Sequence, residues 1–320
     1  MCDEEFKKSL REAISDIDKL KKEIGKRIIG QRPLVNGMIM GLLGNGHVLL
    51  EGVPGLAKTF AVKTLAEVLD LEFRRLQFTP DLLPADLIGS MIYRKQTEEF
   101  VPRKGPIFSS IILADEINRA PARVQSALLE AMEERQVTIG EHTFPLPTPF
   151  IVFATQNPIE HEGTYPLPEA QIDRFSLKLK VDYPSMEEEL MILKRLGIEK
   201  EIPVCKVMDI QKIENLKRII SEIKVDSRIE EYIVSIVLET RKKGNSYLEF
   251  GASPRGSIYL LRYSRINALM QGRSFVLPED VKDTAADVLR HRLVLSYEAE
   301  AEGLTPDDIV REVLSAVKVP

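Results

Sequence analysis

Two cysteines in 320 residues, Cys2 and Cys205, leave no disulfide framework and no C-x-x-C pair. A stapled secreted scaffold and a zinc-ribbon signature are therefore excluded. No run of 18 or more apolar residues is present, so no helical membrane span is expected. The opening stretch MCDEEFKKSL is too charged for a secretory signal. A reducing cytoplasm is the expected location. There is also no excess of one charge: 44 Lys and Arg face 49 Asp and Glu, for a formal net charge of −5. Such a surface gives no global pull toward nucleic acid or anionic lipid. His47, His142, His161 and His291 lack metal-ligand spacing and read as structural. Internal repeats and low-complexity tracts are absent.

What is present is a chain with 44% hydrophobic residues, long enough for two domains with proper cores. Phe6, Leu10, Ile14, Ile17, Leu20 and Ile24 recur at three- and four-residue steps, which predicts an amphipathic helix. A second helix starts near Pro33. The apolar runs HVLLEG, EFRRLQF, SSIILADE, PFIVFATQNP and RFSLKLKV predict five core strands, with helices alternating between them. That alternation implies a parallel sheet. GSMIYRKQTEEFVPRKG and VTIGEHTFPLP each alternate about a polar turn and predict two β-hairpins. Pro121 opens a further helix. After Pro184 the periods become helical, clearest at 209–223, 226–243, 254–271 and 278–289. The expected division is an α/β domain over 1–184 and a small all-α domain over 185–320.

Chemistry concentrates in GVPGLAKT: Gly52, Val53, Pro54, Gly55, Leu56, Ala57, Lys58 and Thr59, with Phe60 following. A glycine-rich loop between a strand and a helix turns backbone N–H groups and the helix dipole toward an anion. Lys58 adds a point charge for outer phosphates, and Thr59 a hydroxyl for Mg²⁺. The usual pattern has glycine before the lysine, where this chain has Ala57. With Ala57 at the start of the helix, an ordinary negative φ is expected there. Gly52 and Gly55 are left for the sharper backbone positions. Asp115 and Glu116 end the strand SSIILADE, and Asn157 ends PFIVFATQNP. In a parallel sheet these ends lie where ligands collect. Phosphoryl transfer needs a carboxylate for the metal and a group that orients or deprotonates water.

IIGQ, GVPGLAKT, ADEINRAPARVQSALLEAMEERQVTI, FIVFATQNP, YPLPEAQIDRF, GASPRGS and VLRHRLVLSYEAEAEG together resemble the MoxR family of AAA+ ATPases, from about Ile28 to the C-terminus. The resemblance implies a P-loop core of five parallel strands carrying two hairpin inserts, followed by a helical lid. It implies ATP and Mg²⁺ as ligands, bound between core and lid at a subunit boundary. Ile29, Gly30 and Gln31 match the stretch that contacts adenine. Lys58 and Thr59 match the Walker A pair, and Asp115 and Glu116 match Walker B, with Glu116 as base. Asn157 matches sensor 1, Arg255 matches sensor 2 in cis or in trans, and Arg174 matches an arginine finger acting on a neighbour's nucleotide. A homo-oligomeric, hexameric ring is implied, with a chaperone-like role on protein complexes. The resemblance also implies, as is often so in the family, a partner carrying a von Willebrand factor A domain, and for some members a role in metal cofactor insertion.

Arg119 reads equally as a boundary residue or a structural one. Arg262–Arg265 and Arg290–Arg292 read as solvated lid surface or ring contacts. Three other functions compete with a remodelling ATPase. A nucleic-acid motor needs basic hairpins, yet VTIGEHTFPLP has no Lys or Arg and the other hairpin balances Arg94, Lys95, Arg103 and Lys104 with Glu98 and Glu99. A chelatase ATPase subunit would share the inserts. A nucleotide-gated scaffold without turnover would have little use for Glu116, Asn157 and Arg174 together.

Overall fold

The computed structural model describes residues 3–158, 164–196, 202–242 and 246–320. The chain folds into an α/β unit, Leu20–Arg174 with Leu179–Ile210, and a helical unit, Met1–Lys19, Phe175–Lys178 and Gln211–Pro320. This differs from a single cut after Pro184. Most of the N-terminal helix, through Lys19, and the segment Phe175–Lys178 belong to the helical unit, and the helix after Pro184 belongs to the α/β unit. His161 and the expected helix end at Lys243 lie outside the described residues.

α1 (Asp3–Ile24) buries Leu10, Ile17, Leu20 and Ile24 along one stripe, as its period predicts. α2 (Arg32–Leu43) begins with Pro33 in its first turn, where a missing N–H costs nothing. β1 (Val48–Glu51), α3 (Lys58–Val68) and β2 (Phe73–Gln77) follow. The short helix α4 (Pro84–Ile88) leads into the hairpin β3 (Gly89–Arg94) and β4 (Glu99–Lys104). β5 (Ile111–Asp115), α5 (Ala122–Glu134) and a second hairpin, β6 (Gln136–Ile139) and β7 (His142–Pro145), come next. β8 (Ile151–Gln156), α6 (Glu169–Ile172), β9 (Leu177–Lys180) and α7 (Met186–Leu196) complete this part.

The sheet order is β2-β5-β8-β1-β9, with parallel pairing from β2 to β1. β5 is buried throughout and β8 at every position except Gln156, as continuous apolar runs require. β2 lies at the edge and carries exposed Arg74 and Arg75. Register sets Gln77 beside Asp115 and Glu51 beside Gln156, so the carboxyl ends of four strands align along one margin. Beneath the other margin, His47 bridges Met132 O at 3.1 Å and the Val152 N–H at 3.0 Å. Burial pushes its pKa down to about 3, so this histidine is a neutral structural link.

The helical unit contains α8 (Ile210–Ser221), α9 (Ser227–Glu239), α10 (Pro254–Met270), α11 (Pro278–Leu289), α12 (Tyr297–Ala301) and α13 (Pro306–Ala316). α9 is capped by Asp226 and α13 by Thr305, whose side chains accept main-chain N–H bonds. Arg273 forks onto buried Asp280 with two contacts of 2.6 Å. The unit is not purely helical as expected. Two short strands, β10 (Leu248–Phe250) and β11 (Val294–Leu295), pair antiparallel among the helices. At three and two residues they are too short to show alternation.

Candidate active site

The loop after β1 supplies the first wall of the site. Gly52 is required by close approach: a Cβ there would sit 2.6 Å from Val181 O. Gly55 is required by conformation, with φ +88°. Ala57 corrects the expectation of a negative φ. It sits outside the helix as its N-cap, at φ 57° and ψ 18°. The loop's turn, not the helix, sets its dihedrals. A left-handed alanine costs about 1–2 kcal/mol. Glu116 is also left-handed, at φ 57° and ψ 52°, and so is Gln31, at φ 49°. Three motif residues thus hold backbone conformations that an L side chain resists, as functional sites often do.

Lys58 is the first residue of α3, and its Nζ donates back to the loop, to Gly52 O and to Val53 O at 2.9 Å. Burial lowers its pKa, against the pull of Asp115 and Glu116. Asp115, at the end of β5, is satisfied at both oxygens. Thr155 Oγ1 donates to Oδ1 at 2.6 Å, and Arg75 donates to Oδ2 from Nε at 2.9 Å and Nη2 at 2.6 Å. The same Thr155 hydroxyl accepts the Glu116 N–H at 2.8 Å. Glu116 Oε2 accepts from Gln77 Nε2 at 2.7 Å and pairs with Arg119 Nε at 3.1 Å. Arg119 is therefore tied to the carboxylate inside its own chain.

These groups meet in one cavity of about 360 Å³. Pro54 to Phe60 form one side, and Arg75, Asp115, Glu116, Thr155 and Asn157 the other. Asn157 is buried there. The amino end of α3 opens into the same space, so the helix dipole and Lys58 favour an anion. The Asp115 carboxylate and the Thr59 hydroxyl line it together, a hard-oxygen pair suited to Mg²⁺. Among the described residues no group of three or more His, Cys, Asp or Glu could hold a metal ion alone.

Other expected site residues lie elsewhere. Ile29 and Gly30 line a second cavity of about 560 Å³, whose walls include Lys21, Arg32 and Arg195 but no loop residue. Gln31 donates to Asp182 O at 2.7 Å. Arg174, just after α6, pairs with Glu133 of α5 at 3.1 Å and does not wall its own chain's cavity. Arg255 is the second residue of α10 in the helical unit. Sequence reading missed Arg75, Gln77 and Thr155. Only strand register shows that EFRRLQF and FATQNP deliver them beside Asp115.

Family comparison decides the lineage. Residues 47–177 match the ATPase family associated with various cellular activities, and residues 242–313 match an AAA lid domain. The chain is 50% identical over 306 residues to Chaperone MoxR1 of Mycobacterium tuberculosis, covering 93% of this chain and 81% of that one.

This chain belongs to the MoxR family of AAA+ ATPases.

Protein MoxR of Methylorubrum extorquens is 29% identical over 332 residues, covering 94% of each chain. The crystal structure of a candidate ATPase from Cytophaga hutchinsonii superposes with a TM-score of 0.92 at 45% identity, over 98% of this chain and 97% of that one. The parallel sheet and the lid of this MoxR-type chain are those of an AAA+ ATPase. No helix among the described residues is long and apolar enough to cross a membrane.

Proposed function

We propose that the protein hydrolyses ATP with Mg²⁺ at a site shared by two copies of the chain, and uses the energy to remodel or mature protein complexes. One observation carries this reading: Lys58, Thr59, Asp115, Glu116 and Asn157 face a single cavity at the head of α3. The loop N–H groups and Lys58 bind the phosphates. Thr59 and Asp115 would hold Mg²⁺, which would supply charge neutralisation at the phosphate oxygens. Glu116 takes a proton from water as the water oxygen attacks the γ-phosphorus and ADP leaves. Asn157 orients that water or the terminal phosphate. To act as base, Glu116 releases the Gln77 and Arg119 side chains that now hold it.

Arg174 lies outside its own cavity, which supports action on a neighbour's nucleotide in a hexameric ring. Such a finger is worth about 10³ to 10⁵ in rate, or roughly 4–7 kcal/mol. Arg255 adds a nucleotide contact in cis or in trans. The hairpins serve as output elements toward a protein client or a partner with a von Willebrand factor A domain. Tyr93 and Phe100 pair their rings at 5.3 Å on the first hairpin and are exposed. A nucleic-acid grip has less support: the second hairpin offers no cation, and Lys104 of the first lies over the rings of Phe108 and Phe144. The test is Glu116→Gln, expected to bind ATP with parent affinity and to abolish phosphate release. Retained turnover would refute the assignment of the base.

A further inference from the structure

Arg290, His291 and Arg292, expected on a solvated lid surface or in ring contacts, are not solvated. His291 and Arg292 are buried, and the Arg290 side chain is only 10% exposed. All three follow α11 and aim at one short segment. His291 Nε2 donates to Phe175 O at 2.9 Å. Arg292 donates to the same oxygen at 2.6 Å and to Ser176 O at 3.5 Å, with its guanidinium 5.0 Å from the centre of the Tyr259 ring. Arg290 donates to Lys178 O at 2.6 Å. From α10, the fully buried Tyr263 hydroxyl donates to Ser176 Oγ at 2.6 Å. Phe175 and Ser176 precede β9, and side-chain donors from the helical unit satisfy their carbonyls. Arg290 and Arg292 are themselves braced, the first by Asp287 and Asp307, the second by Val288 O.

Phe175 is one peptide bond from Arg174. We propose that Tyr263, Arg290, His291 and Arg292 are positioning residues for Arg174. They fix the backbone next to the arginine and so set its reach into a neighbouring chain. The proposal rests on Arg174 acting as a finger in trans. Upstream, the Arg174 N–H donates to Gln171 O at 3.2 Å, so the residue is held from both sides. Hydrophobic side chains could fill this space, but only fixed donors define where the Phe175 and Ser176 carbonyls sit.

The test is subunit complementation in the full-length protein. Arg292→Lys cannot reproduce the fork of a guanidinium. Its turnover alone is expected to fall about 10²-fold, the cost of roughly 1 Å of misplacement, with affinity for a fluorescent ATP analogue unchanged. Mixed with Glu116→Gln, which lacks the base but presents an intact Arg174, turnover should recover. Arg174→Ala mixed with Glu116→Gln is the control and should recover likewise. Recovery of Arg174→Ala without recovery of Arg292→Lys overturns this proposal alone. If Arg174→Ala fails to recover, the finger reading falls, and this proposal with it. A merely structural defect is not repaired by a neighbour. Should Arg292→Lys not fold, Ser176→Ala/Tyr263→Phe removes donor and acceptor together and leaves stability near the parent. It is expected to lose about tenfold in turnover and to recover on mixing; turnover at the parent rate overturns the proposal.

Discussion

Thr155 is a small side chain on which two residues of the proposed site, Asp115 and Glu116, depend, so Thr155→Val is the most informative substitution. Valine keeps the shape and removes the hydroxyl. Two partners are lost at once: Asp115 Oδ1, now bonded at 2.6 Å, and the Glu116 N–H, bonded at 2.8 Å. A hydrogen bond to a charged group contributes about 1.5–3 kcal/mol, and an unmet buried N–H costs about 1–3 kcal/mol. Thr155 and Asp115 are buried, but Glu116 is only partly so, and water can serve its N–H. The net loss therefore lies near the lower end of the sum, at about 3 kcal/mol. That is a large fraction of a typical stability of about 5–15 kcal/mol. The left-handed Glu116 also loses a tether, so its carboxylate moves as well. Displacement of about 1 Å can cost 10²-fold in rate. Urea unfolding monitored by circular dichroism gives the first number, and phosphate release gives the second. Thr155→Ser, which restores the hydroxyl, should recover most of both. If Thr155→Val unfolds at the parent urea midpoint and hydrolyses ATP at the parent rate, the bridging role assigned to this hydroxyl is wrong.

Further predictions concern the loop, the histidines and the finger. Ala57→Gly relieves a left-handed alanine and should raise stability by about 1 kcal/mol; a lower melting temperature would contradict the backbone assignment. His47 titrates at about 3 in the fold and His291 well below its ordinary value, both because burial disfavours the imidazolium. The unfolded chain takes up these protons near pH 6.5, so stability is full above that pH and is lost as pH falls toward the folded values. Between pH 6.5 and 5 His47 should remove about 2 kcal/mol, with His291 acting in the same direction, and His47→Gln should flatten the measured slope. Arg174→Ala should bind nucleotide like the parent while losing about 10³-fold or more in turnover; parent-rate hydrolysis would refute a shared site.

Much of the fold was legible because it is written locally. The runs IILAD and IVFATQ announce buried strands, and GVPGLAKT announces the turn into α3. The hairpins were legible from alternation about polar turns. Other features had no local sign. Arg290–Arg292 look like any basic surface cluster, and only folding turns them onto the Phe175, Ser176 and Lys178 carbonyls. Arg75 and Gln77 read as ordinary edge-strand residues until β2 lies beside β5. Ala57 misled because the residue before a helix obeys the loop that delivers it and not the helix that follows.

By itself, then, the amino-acid order determined the elements of this AAA+ chain, the glycine loop that leads into α3 and the carboxylate pair at a strand end, because periodicity and short motifs are properties of neighbouring residues. Tertiary structure decided which strand lies beside which, that one threonine hydroxyl serves both Asp115 and Glu116, and that Arg292 grips the carbonyl of Phe175, the residue after Arg174. Those contacts join residues about 40 to 117 positions apart in the chain. No local pattern encodes them; they exist only once burial and strand register have chosen partners.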